Sequence, residues 1–222
     1  MKLKYEKRFE KLTTTRKERR TEFNKSNIIA AAKKQFDKNG IAQTTVDDIA
    51  KEADYSKATL YAYFKSKEEI YHHIVFESMK ELKNRIQNIT VSTENFEHCF
   101  YSLCNTLADF HDENPLYFDS IVGKISVKES DFEEQPVLLE IYNIGEEINS
   151  ELVSLLQRAE KDGILQSGME PVTTVMSLWA SLYGIILLAS RKEGYMEEKL
   201  GITKETYMKA AYQMLYKSVI KE

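Results

Sequence analysis

The chain of 222 residues is 30% charged and 42% hydrophobic, with eight glycines, three prolines, and no low-complexity tract or fixed-period repeat. That composition is ordinary for a soluble globular protein, and the scarcity of turn residues disfavours a sheet architecture. The net charge of −4 argues at first against a polyanionic partner, but residues 1–66 hold 16 Lys/Arg against 9 Asp/Glu (+7), whereas residues 67–222 hold 15 against 26 (−11); a basic front and an acidic back suggest that only the front meets a polyanion.

The N-terminal stretch "MKLKYEKRFEKL" is charged and lacks the apolar run of a secretory leader, so a cytoplasmic protein is expected. The basic stretch that follows, with Arg16, Lys17, Arg19 and Arg20, leaves two readings open: an arm reaching a minor groove or phosphates, or a solvated helical extension. In "NKSNIIAAAKKQFDKNG" the apolar residues Ile28, Ile29, Ala31, Ala32 and Phe36 fall on one broad helical face, and Gly40 is a stop signal. "TTVDDIAKEAD" predicts a second helix with a threonine cap and acids in its first turn. After Asp54-Tyr55, Ser56 caps a short third helix, and Ser66 with Glu69 opens a long fourth one. Three helices within some 45 residues, the last two joined by a tight turn, make a helix-turn-helix.

On the third helix Leu60 and Phe64 are four apart and point together into a core, which leaves Lys57, Thr59, Tyr61 and Tyr63 around the rest of the circumference. If both tyrosines were core, Lys57 would be stranded. If they face a phosphate backbone, the hydroxyls donate to phosphate oxygens and the lysine supplies charge and reaches a guanine edge. Spacing alone does not choose between these two readings.

Beyond residue 67, helical periodicity predicts helices at 67–88, 94–113, 115–127, 133–161, 171–193 and 203–220, with Pro115 and Pro171 in first turns. Residues 171–190 carry no charge, a length that could cross a membrane. Two threonines and three serines, and the highly charged remainder of the chain, argue instead for burial within one subunit or between two, and no membrane partner is expected. Ser177, Ala180, Ser181 and Gly184 make a flat stripe for close helix contact. Cys99 and Cys104 diverge on a helix and are expected to be reduced and buried.

The stretch "TTVDDIAKEADYSKATLYAYFKSKEEI", preceded by "IIAAAKKQFDKNG", resembles the DNA-binding domain of the TetR family of bacterial transcriptional regulators over about residues 22–72. Where that family usually has glycine and a small aliphatic residue in the helix-helix turn, this chain has Asp54-Tyr55; Gln35 stands where an apolar residue is usual. The resemblance implies an all-α fold: a basic extension (1–21), a helix-turn-helix domain (22–66) and a helical ligand-binding and dimerisation bundle (67–222). It implies a homodimer on a double-stranded DNA operator of palindromic form, acting as a repressor that a small-molecule inducer releases. By matching positions, Thr45, Tyr61 and Lys67 resemble phosphate contacts, Lys57 and Tyr63 face the groove, and Ser56 and Thr59 lie near the backbone. The last two long helices would form the dimer interface, with Leu188, Tyr212 and Leu215 beside the small-residue stripe.

Phe100, Tyr101, Phe110, Tyr117, Tyr142, Trp179 and Tyr183 are candidates to line the inducer pocket, and acids such as Asp109, Asp119 and Glu140 leave two readings open, attraction of a cationic lipophile or a solvated acidic surface. No nucleophile elbow, phosphate-cradling glycine loop or HExxH helix occurs, and His72, His73 and Glu77 supply too few metal ligands. Catalysis, a metal and a cofactor are therefore not expected. An all-helical protein-interaction module whose helix-turn-helix does not read DNA is the alternative from another class.

Overall fold

The computed structural model describes residues 16–92, 95–123 and 127–221. The chain divides into two compact units with the boundary after Ile74, and among the described residues there is no strand, only an isolated antiparallel bridge between Leu165 and Ile220.

In the first unit, α1 (Arg16–Asn39) buries Ile28, Ala31, Ala32 and Phe36. It stops at Gly40, whose φ of 79° is open to glycine at little cost and whose N–H donates to Phe36 O (2.8 Å). Helix α2 (Val46–Glu52) starts from a capping box: Thr45 Oγ1 accepts the Asp48 N–H (3.2 Å) and Asp48 Oδ2 accepts the Thr45 N–H (2.9 Å). The turn into α3 (Lys57–Tyr61) places Asp54 at φ 57°, the left-handed conformation that its short polar side chain tolerates. Ser56 caps α3, and Leu60 and Phe64 are fully buried beneath it.

Helix α4 (Lys67–Ser92) is capped by Ser66, whose Oγ accepts the Glu69 N–H (3.2 Å), and runs on across the unit boundary. About two of its turns belong to the first unit: Ile70 is fully buried and His73 stands edge-on to Phe64 (5.4 Å between ring centres).

The second unit contains the rest of α4, α5 (Phe96–Glu113), a 3₁₀ turn (Phe118–Ile121), α6 (Glu129–Glu134), α7 (Pro136–Lys161), α8 (Pro171–Arg191), and α9 (Lys204–Val219) after a short helical and π turn over 193–200. Helix α8 packs on α5, α7 and α9. Cys99 and Cys104 are free and buried in α5, as expected, and burial pushes the Cys104 thiol up to about 12.

Two expected elements differ. No helix runs over 115–127: Ser120 Oγ bonds back to Tyr117 O (2.5 Å), and this local competition with Gly123 close behind leaves a single 3₁₀ turn; residues 124–126 lie outside the described residues. The helix expected from 133 begins at Pro136, because proline lacks the N–H an interior position needs and holds Gln135 extended (φ −133°, ψ 90°).

Candidate nucleic-acid interface

The seven residues singled out for DNA contact lie together on the first unit, but most of their polar groups are already engaged. Thr45 is exposed, with its hydroxyl donating to Asp48 Oδ2 (2.6 Å). That bond is the largest cause holding the Asp48 carboxyl below its usual range. Ser56 Oγ accepts the Thr59 N–H (3.0 Å) and lies 2.8 Å from the Thr59 hydroxyl. The Thr45 and Ser56 hydroxyls thus serve first as the N-caps of these short helices.

Lys57 is exposed, and its ammonium donates to Asp47 Oδ2 (2.9 Å), joining α3 to α2; this bond is the largest cause raising the lysine above its usual range. The pair is open to solvent on both sides, so exchanging Asp47 for a guanine edge or a phosphate costs about 0–1 kcal/mol.

Tyr63 is half-buried. Asn24 Nδ2 donates to its hydroxyl oxygen (2.6 Å), while Asn24 Oδ1 accepts from the Tyr55 hydroxyl (2.9 Å), so one asparagine of α1 clamps the turn and the end of the third helix together. Tyr55 is half-buried for this reason. The Tyr63 proton stays available for donation, because its oxygen is the acceptor in that bond.

Lys67 reaches back to the loop after α1, donating to Ile41 O (2.8 Å) and Thr44 O (2.8 Å), which leaves one of its three donors for a phosphate. Tyr61 differs from the other six. It is 48% exposed, and its hydroxyl makes no hydrogen bond among the described residues.

Sequence reasoning missed Asn24, Asp47 and the buried Thr44, whose hydroxyl donates to Gly40 O (2.9 Å) and Gln35 O (3.1 Å). Gln35 itself is explained by Glu52, which accepts from its amide (2.8 Å) and also pairs with Lys34. Arg16, Lys17, Arg19 and Arg20 are helical, forming the exposed first turns of α1.

Residues 28–74, which contain this interface, match the family model of bacterial regulatory proteins, tetR family. That match spans 47 of the 222 residues, and over it the chain is similar to the bacterial regulatory proteins of the tetR family. Over 163 residues it is 23% identical to the uncharacterized HTH-type transcriptional regulator YhgD of Bacillus subtilis (strain 168), a match covering 71% of this chain and 78% of that protein. Solved structures share the fold. Examples are the ketosteroid transcriptional regulator KstR2 of Mycobacterium tuberculosis (18% identity, 89% of this chain and 95% of that one, TM-score 0.61) and a TetR/AcrR-family regulator from Thermobifida fusca (20% identity, 86% and 96%, TM-score 0.64).

The second unit does not gather the seven aromatic candidates into one pocket. Phe100 and Trp179 line an apolar cavity; Trp179 and Tyr183 line a neighbouring cleft. Tyr101 sits on a polar surface groove, Phe110 and Tyr117 are buried in the core, and Tyr142 packs on Phe132.

Of the residues assigned to the dimer face, Ser177, Ala180, Gly184 and Leu188 are exposed on α8, and Ser181 and Leu215 are half-exposed. Tyr212 is a correction. It is only 3% exposed and its hydroxyl donates to Cys104 O (3.3 Å), so it faces the core of its own subunit. Within the subunit α8 buries Val175, Ile186 and Ala189 but leaves Val172, Met176 and Leu188 exposed, so its charge-free surface is not covered by its own chain.

Proposed function

We propose that the protein is a repressor that binds a palindromic operator as a homodimer and is released by a small molecule held in the second unit. The observation that carries this reading is α3: a five-residue helix anchored from below by Leu60 and Phe64, with Tyr61 unengaged and Lys57 in an exchangeable ion pair on its outer side. That is the arrangement a major-groove element needs, since phosphate contacts position it and base-edge contacts specify.

Dimerisation through α8 and α9 is supported by the uncovered face of α8, where a Cβ added to Gly184 would meet nothing within 4 Å of its own chain. A ligand that favours one spacing of the two recognition helices weakens operator binding, and the operator weakens ligand binding by the same factor.

Selection of bound sequences from randomised duplex DNA tests the reading. The expected result is an inverted repeat whose half-sites lie about 34 Å apart or a multiple of it. Enrichment of no sequence would favour the interaction-module alternative.

A further inference from the structure

The second unit holds two adjoining hollows of different character. One is a cavity of about 70 Å³ with only apolar side chains and a buried thiol around it, among them Ile86, Phe96, Leu103, Cys104 and Leu156. The other is a cleft of about 490 Å³ walled by α4, α7, α8 and the segment around the 3₁₀ turn. Leu82 and Trp179 line both and so form the partition between them. The indole of Trp179 is held in place by Asn149, whose Oδ1 accepts its N–H (3.1 Å) and which itself faces the cleft. The cleft lies within the range of about 300–1,000 Å³ usual for small-molecule sites, and a cavity lined only by apolar groups stays dry and accepts apolar guests.

A glycine points to the use of the cleft. Gly145 sits in the middle of α7, where glycine destabilises a helix relative to any ordinary residue. A Cβ built there would meet nothing nearer than Met79 Cε at 3.9 Å, so no contact within the subunit requires its absence. What the missing side chain does is keep the wall of the cleft clear.

The polar groups at the cleft set the charge of its occupant. Asn149 offers an amide, and the Tyr183 hydroxyl donates to Asp119 Oδ1 (2.6 Å). Among the described residues neither hollow is lined by a lysine or arginine, and the ionised group that reaches the lining is the Asp119 carboxylate. Arg191 acts on the Tyr183 hydroxyl through space but does not line the cleft, so an anion brought here would lose its hydration and gain no direct ion pair.

Resting on the reading of the protein as ligand-responsive, we propose that the Gly145 cleft and the apolar cavity behind Trp179 form one effector site for a lipophile that is uncharged or cationic. The apolar end passes the Trp179 partition, and the polar end stays against Asn149 and Tyr183.

Trp179 is the only tryptophan of the chain, so intrinsic fluorescence reports on the partition directly. The full-length protein, without DNA, is titrated with 1-dodecanol, dodecyltrimethylammonium and dodecanoate below their micellar concentrations. The first two are expected to give a saturable shift in emission, with dodecanoate weaker by about tenfold or more. Gly145→Leu, which extends into the cleft from a position with room for a Cβ, is expected to weaken the first two by about tenfold or more while the melting temperature stays the same or rises. Dodecanoate binding as tightly as dodecanol overturns the charge assignment, and an unaltered titration in Gly145→Leu overturns the site. If no probe shifts the emission, the effector site is overturned alone, because operator binding is read separately by duplex titration of the same protein.

Discussion

The helix-turn-helix unit and the helical unit are held together by different means. In the first, α2 and α3 span seven and five residues, well short of the roughly 12–15 at which an isolated helix becomes marginally stable. They persist because side chains close their ends: Thr45 and Asp48, Ser56, the Lys67 ammonium on two loop carbonyls, and Asn24 across two tyrosines. In the second, α4, α5, α7, α8 and α9 run from 16 to 26 residues and are joined by apolar faces such as Phe96, Phe100, Leu107 and Phe110. A small polar unit thus commits to its own folding the hydroxyls and ammonium groups that the proposed recognition would draw on. The larger unit leaves apolar surface uncovered instead, as on α8.

The largest expected effect tests the first unit. If a dimer makes six to ten phosphate contacts, operator affinity falls by about 10³–10⁵ between 50 and 200 mM salt, measured by fluorescence anisotropy on a duplex. A flat response would mean that the internally bonded side chains never exchange onto DNA.

Lys67→Met separates folding from recognition. Because two of the lysine's donors hold backbone carbonyls, unfolding free energy should drop by about 1–3 kcal/mol in urea denaturation, along with DNA affinity. Lost affinity at unchanged stability would make Lys67 a phosphate contact alone.

Gly184→Leu does the same for the apolar side. Nothing in its own chain lies within 4 Å of the new Cβ, so the monomer should be as stable or slightly more so. The dimer should weaken by about 1–3 kcal/mol, seen by sedimentation equilibrium. An undisturbed dimer would move the interface off this face of α8.

Asp47→Asn releases Lys57 and removes a negative charge from the reading surface. Operator affinity should rise by about 0.2–1 kcal/mol, with the preferred bases unchanged. A change of preferred base would make Asp47 itself a reader.

The smallest effect is in acid. The Asp48 carboxyl is held low chiefly by the Thr45 hydroxyl, so its contribution is present above its ordinary value and is lost as pH falls through its folded one. The α2 cap should therefore weaken only below about pH 4, and Thr45→Ala, which keeps the backbone N–H bond to Asp48, should reduce that acid dependence in a circular-dichroism titration.

What the sequence by itself determined was local. Caps lie three residues from the groups they serve, and apolar faces repeat every three or four residues. Even there, single prolines and serines misled where the pattern spoke louder, at Pro136 and Ser120.

The tertiary structure decided everything that depends on residues far apart in the chain. Asn24 meets Tyr55 and Tyr63 across separations of 31 and 39, Lys67 meets Ile41 and Thr44 across 26 and 23, and Tyr212 turns inward to Cys104 across 108. Periodicity placed Tyr212 on a helix and small residues on its neighbour α8, but a helix has several faces with apolar residues. Which face becomes core is fixed only when the long helices pack, because burial is a property of the neighbours and not of the residue.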